Sequence, residues 1–133
     1  MPVTVRRVTG RQLEASARGH VVRTDRTREE GGTDTGCTSG ELLLMALGSC
    51  ATGSLRNFLE GRGAPVAGLA TELAFEPSAT PGTRDRIVIA VKVPAGASGI
   101  PDAEIARAAV AGRVVSRVQL GSEIEVRIER TGA

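Results

Sequence analysis

The chain contains no tryptophan and no tyrosine, two phenylalanines, one histidine and two cysteines among 133 residues. Without aromatic faces there is no stacking platform for bases or sugars, which disfavours the aromatic-rich binding classes. A single histidine, His20, and two cysteines, Cys37 and Cys50, that lack paired spacing make a metal centre improbable. Two cysteines are also too few for a disulfide scaffold. Charge of one sign is equally scarce. The net charge is +2, sixteen of the seventeen basic residues are Arg, and these are scattered along the chain, so nucleic-acid binding gains no support. The opening "MPVTVRRVTG" alternates at once, and no apolar run approaches the roughly twenty residues of a membrane span. A soluble, cytoplasmic protein with no membrane partner is the expectation.

What is present suits one globular domain over 1–133, with 41% hydrophobic and 24% charged residues. Short β-branched runs broken by Gly10 and Gly19 predict two or three strands in a meander over the first 25 residues. The stretch "RTREEGGTDTG" reads as loop, and Thr38 or Ser39 is the N-cap of a helix running to about Glu60, stopped by "GRGAP". Two strands follow. In "AGLATELAFEP" the residues Leu69, Thr71, Leu73 and Phe75 share a face, while the nearly continuous apolar run of "RIVIAVKV" predicts a central strand. A second helix is expected from Pro101 to near Arg117, and "EIEVRIER" predicts a last strand with Ile124, Val126 and Ile128 inward. The order βββ, α, ββ, α, β defines an α+β fold with antiparallel pairing.

The stretch "GELLLMALGSCATGSL" carries most of the functional interest. Its leucines, Met45 and Ala46 cover a helix on all sides, and so short a chain cannot enclose such a helix alone, which predicts a two-fold homodimer. Gly40, Gly48 and Gly53 each cost roughly 1 kcal/mol against alanine inside a helix. Together with Ala46, Ser49, Ala51, Thr52 and Ser54 they create clearance, either for another backbone or for a pocket beside Cys50. Cys50 reads equally as a small core hydrophobe. A helix starting near Ser39 separates Cys37 from Cys50 by roughly 16 to 20 Å along its axis, beyond the reach of about 7 Å that a disulfide allows. Cys37 then reads as an incidental loop thiol.

Taken in order, "GHVVRTD", "GGTDTG" and "ELLLMALGSC" resemble the OsmC/Ohr family of osmotically inducible and organic hydroperoxide resistance proteins, and the likeness continues to "VVSRVQLGSEIEV". The resemblance implies an OsmC-like fold, an intertwined two-fold homodimer in which antiparallel sheets enclose two central helices, with sites at the subunit interface. It also implies that Cys50 matches the peroxidatic cysteine of the peroxidase members. The arginine that holds thiolate and peroxide in those proteins corresponds to Arg11 in "TGRQ", with Arg18 in reserve. Two positions depart from the pattern. The resolving cysteine of the second helix is replaced by Arg113 in "RVVS", and the glutamate that orients the arginine falls at Gly40, with Glu41 one residue later. On a helix Glu41 points about 180° away from Cys50.

A reactive thiol on an apolar helix needs a positive charge nearby, which Arg11 or Arg113 could supply. Arg113 could instead bind an anionic substrate, or be a solvated helix arginine. His20 reads as a strand residue without an acid–base role, and Asp25 and Asp34 as loop residues held by Asx-type hydrogen bonds. Three functions fit these residues. The first is a one-cysteine reductase of organic hydroperoxides that uses Cys50 and an external thiol reductant, without a cofactor. The second is a protein that binds or processes another small hydrophobic molecule without peroxidase activity. The third is a non-catalytic dimer.

Overall fold

The computed structural model describes residues 2–130. Three antiparallel strands open the chain: β1 (Thr4–Thr9), β2 (Gln12–Ala17) and β3 (His20–Thr24), in spatial order β1-β2-β3. Arg18 and Gly19 turn β2 into β3 with φ of 52° and 84°, both positive as a two-residue turn matched to strand twist requires. Glu14 lies opposite Arg6 on one side and Arg23 on the other, with an Arg6 Nη2 to Glu14 Oε1 distance of 2.9 Å. Exposed pairs of this kind fix register more than they add stability.

The loop after β3 explains "GGTDTG". Buried Asp25 accepts hydrogen bonds at Oδ2 from the backbone N–H and hydroxyl of Thr33 (3.2 and 2.7 Å) and of Thr35 (3.1 and 2.8 Å). Its Oδ1 accepts from the Arg26 N–H at 2.7 Å. These donors, first the Thr33 hydroxyl, hold the carboxyl well below the usual carboxylate range against the opposing effect of burial. The loop closes so tightly that a Cβ at Gly32 would lie 2.1 Å from the Arg26 carbonyl oxygen and one at Gly36 2.4 Å from that of Arg23. Thr24 and Cys37 form an isolated parallel bridge, and the Asp25 N–H donates to the Cys37 carbonyl at 3.0 Å.

Helix α1 (Ser39–Gly61) begins where the sequence places it. The Thr38 N–H donates to Glu41 Oε1 at 2.8 Å and the Glu41 N–H donates to Thr38 Oγ1 at 3.2 Å, a reciprocal capping box. By length and composition alone α1 could cross a membrane, a test that the core helix of a soluble protein also passes. Its buried stripe is Leu47, Ala51, Leu55 and Leu59, at a spacing of four, which is one ridge of the helix. After it come β4 (Ala70–Glu76) and β5 (Arg86–Lys92), a two-stranded sheet, then α2 (Asp102–Ala109) and α3 (Arg113–Leu120).

The Cα positions group into two compact units, Met1–Ala46 with Leu73–Val88 and Leu47–Glu72 with Ile89–Ala133, so the division passes through α1 and through both strands of the second sheet. Within the second unit, Leu55, Ile105 and Ala109 form one core cluster, with Leu69, Val91, Ile100 and Ala108 packed against it. Fully burying an aliphatic side chain such as Leu55 is worth roughly 1.5–3 kcal/mol.

Three expectations are corrected. The helix expected from Pro101 to Arg117 is two helices: Val110 leaves helical geometry at φ −103°, ψ 6°, and Gly112 is extended at φ −74°, ψ 158° before α3 begins. The strand "RIVIAVKV" is not central, since β5 has β4 as its sole neighbour among the described residues. "EIEVRIER" forms no strand among them either. Ile124, Val126 and Ile128 are 86%, 79% and 76% exposed, because an alternating segment becomes a strand only where a neighbour accepts its backbone hydrogen bonds. The enclosure of α1 on all sides is also incomplete within the chain, with Leu43 and Met45 exposed.

Candidate functional site

Cys50 lies on α1 one residue before the fully buried Ala51, yet is itself only half-buried. One turn later on the same side of the helix is Ser54, since residues four apart are neighbours on a helix surface. The break between α2 and α3 sits against this pair. A Cβ built at Gly112 would lie 2.4 Å from Cys50 Sγ and 2.9 Å from Ser54 Oγ, so bare backbone touches both side chains. On the far side of α1, Thr52 and Thr71 share a hydroxyl hydrogen bond of 2.8 Å, which ties α1 to β4.

Gly112 is the N-cap of α3 and provides no side-chain cap, so the helix presents uncapped first-turn N–H groups, the positive end of its dipole, beside the thiol. Arg113 is the first residue of that helix and is exposed. The structure thus brings Cys50 together with the Gly112–Arg113 junction. It does so through Gly112, which the sequence reading missed; the missed signal was a glycine inside "AVAGRVV", a position where an uninterrupted helix would lose about 1 kcal/mol.

Arg11 and Arg18 belong to the first unit and are exposed in the β1–β2 and β2–β3 turns. The Arg11 guanidinium lies over Gly31, with Nε 3.4 Å from the position of a Cβ there. Glu41 is committed to the capping box, and the N–H and hydroxyl of Thr38 hold its carboxyl below the ordinary value. Gly40 lies 3.4 Å, measured to a built Cβ, from the Phe75 ring. His20 opens β3 opposite Ala17 and is exposed. Cys37 and Cys50 are both free thiols. Among the described residues no group of three or more His, Cys, Asp or Glu could hold a metal ion.

This arrangement can present a partly accessible thiol next to a helix N-terminus and an exposed arginine. Comparison with known proteins places it in a family. The family model for the OsmC-like protein matches residues 32–129. Among solved structures, the chain is similar to a putative osmotic stress induced and detoxification response protein from Psychrobacter arcticus 273-4, with TM-score 0.65 and 16% identity over 86% of this chain and 85% of that one. It is also similar to an organic hydroperoxide resistance protein OsmC from Legionella pneumophila, with TM-score 0.58 and 13% identity over 90% of each chain. No curated protein matched. At such identities the solved structures support the α+β fold, and the match across most of the sequence decides the rest: the chain belongs to the OsmC-like protein family.

Proposed function

We propose that the protein is a one-cysteine, thiol-dependent reductase of organic hydroperoxides, acting in the cytoplasm as a single-domain homodimer in defence against oxidative stress. The observation that carries this reading is the half-buried state of Cys50 on a helix whose neighbouring positions Ala51 and Leu55 are 0% exposed. Cys50 lies on the ridge beside the buried stripe, with half-buried Ser54 and Phe58, so its thiol is left open to a small molecule. Similarity to an organic hydroperoxide resistance protein supports the substrate class.

In the first step the Cys50 thiolate attacks an oxygen of the hydroperoxide. The O–O bond breaks, sulfur gains oxygen to become a sulfenic acid, and the alkoxide leaves and takes a proton to become an alcohol. With arginine at position 113 no resolving cysteine is available there, so an external thiol attacks the sulfenic sulfur, releasing water and forming a mixed disulfide. A second external thiol then frees Cys50. Arg11 serves as the arginine that orients peroxide and thiolate, with Arg18 as the alternative, and Arg113 as a contact for the incoming reductant.

Dimerisation is supported by apolar surface that one chain leaves uncovered: Leu43 and Met45 on α1, and Ile124, Val126 and Ile128 in the C-terminal segment. Binding of a small hydrophobic molecule without turnover is the second reading, favoured by Gly40, where the peroxidase carboxylate is missing and the Phe75 ring lies close. Consumption of tert-butyl hydroperoxide with a dithiol, wild type against Cys50→Ser, separates the two. A Cys50-dependent rate together with sulfenic acid trapped on Cys50 supports the reductase, and equal rates remove it.

A further inference from the structure

We propose that Gly112 is a positioning residue for Cys50: its bare backbone sets where the sulfur sits when it reacts. The inference rests on the reductase reading for its consequence, but its geometry is independent of that reading. Glycine is usually required where φ is positive, and Gly112 is not such a place. At φ −74° and ψ 158° it adopts a conformation open to any residue. Capping does not single out glycine either, since Ser, Asp or Asn would cap α3 at least as well. What the position does demand is space. A Cβ would come within 2.4 Å of Cys50 Sγ and 2.9 Å of Ser54 Oγ, closer than non-bonded atoms approach.

The consequence follows from side-chain freedom. Cysteine has a single rotatable bond to its sulfur, and in a helix one of the three staggered positions is closed by the preceding turn. A side chain at 112 therefore leaves the fold an inexpensive escape, rotation of Sγ into the other open position, while removing the sulfur from the place it now occupies. Displacing a reacting atom by about 1 Å is enough to cost roughly a hundredfold in rate. The same backbone closes one side of the sulfur, so peroxide and reducing thiol approach from the sides that the α2–α3 turn leaves open.

The test uses the full-length protein carrying Cys37→Ser, so that Cys50 is the sole thiol, with and without Gly112→Ala. Expected for Gly112→Ala are a modest loss of thermal stability from the poorer N-cap with folding retained, roughly hundredfold slower sulfenic acid formation with tert-butyl hydroperoxide, and an altered pH profile of alkylation by iodoacetamide. An alkylation profile and oxidation rate equal to the parent would overturn the proposal. If the parent is not oxidised at all, the reductase reading fails while the alkylation profile still reports on Gly112. If Gly112→Ala unfolds, Cys50→Ala together with Ser54→Ala added to it should restore folding by removing both clashing atoms, and failure to restore it would sink the idea.

Discussion

Thr38 and Glu41 bind each other reciprocally, through hydrogen bonds of 2.8 and 3.2 Å that close the N-terminus of α1. The carboxylate nearest in sequence to the missing orienting glutamate is thereby occupied in holding a helix end. Thr38→Ala should destabilise the protein by about 1 kcal/mol, the usual worth of such a cap. Glu41→Ala should lower stability in the Thr38 protein and do little once Thr38 is already alanine, a coupling that chemical denaturation of the four proteins measures. Hydroperoxide turnover per folded molecule should be unchanged by Glu41→Ala; a large loss would return Glu41 to the site.

Asp25 and Glu41 both make the first unit pH-dependent, and Asp25 has the more numerous donors. Hydrogen bonds to its carboxylate, the Thr33 hydroxyl first, depress its pKa, so its contribution is fully present above the unfolded value of about 3.9 and is lost as pH falls through the lower folded value. Asp25→Asn keeps the shape but removes the charge and turns an NH2 donor toward a site lined by backbone N–H donors, those of Arg26, Thr33 and Thr35. The variant should be less stable at neutral pH, and its denaturation midpoint should vary less than that of the wild type below about pH 4. Parallel pH curves for the two proteins would contradict this.

How much of this was legible beforehand depends on whether a signal was local. The meander, the α1 cap and its stop at "GRGAP" are written in residues that act on their immediate neighbours, and each appears where expected. The family resemblance was legible for the same reason, because "GGTDTG" folds onto Asp25 from the adjoining "RTD". Periodicity failed where it was continuous across a break. Apolar spacing from Ile105 to Val115 hides the Val110–Gly112 interruption, and with it the contact at Cys50. The alternation of Ile124, Val126 and Ile128 signals a strand's faces but not the neighbour a strand needs.

The two candidate arginines should separate by half-reaction. Arg11→Ala should slow sulfenic acid formation by about tenfold to a hundredfold, the worth of one charge-assisted hydrogen bond. Arg113→Ala should leave that step largely intact and raise the concentration of a carboxylate-bearing thiol needed for half-maximal reduction, with little effect on an uncharged thiol. Stopped-flow oxidation followed by reduction with each thiol distinguishes them. If Arg113→Ala instead slows oxidation and Arg11→Ala does not, the roles are exchanged.

The segment from Glu123 to Arg130 tests the dimer. Its three inward-type residues, Ile124, Val126 and Ile128, are exposed in one chain while Glu125, Arg127 and Glu129 alternate with them, the pattern of a strand with one apolar face. Placing charge on that face should prevent burial against a second copy, because a charged side chain is costly to bury without a partner. Val126→Arg, alone or with Ile128→Glu, should shift the protein from dimer to monomer in light scattering at micromolar concentration. The same substitutions on the alternate face, Glu125→Arg or Glu129→Arg, should leave the mass unchanged, since those side chains stay in water whichever copy the segment joins. A wild-type protein already monomeric at that concentration, or equal effects from both faces, would end the dimer reading.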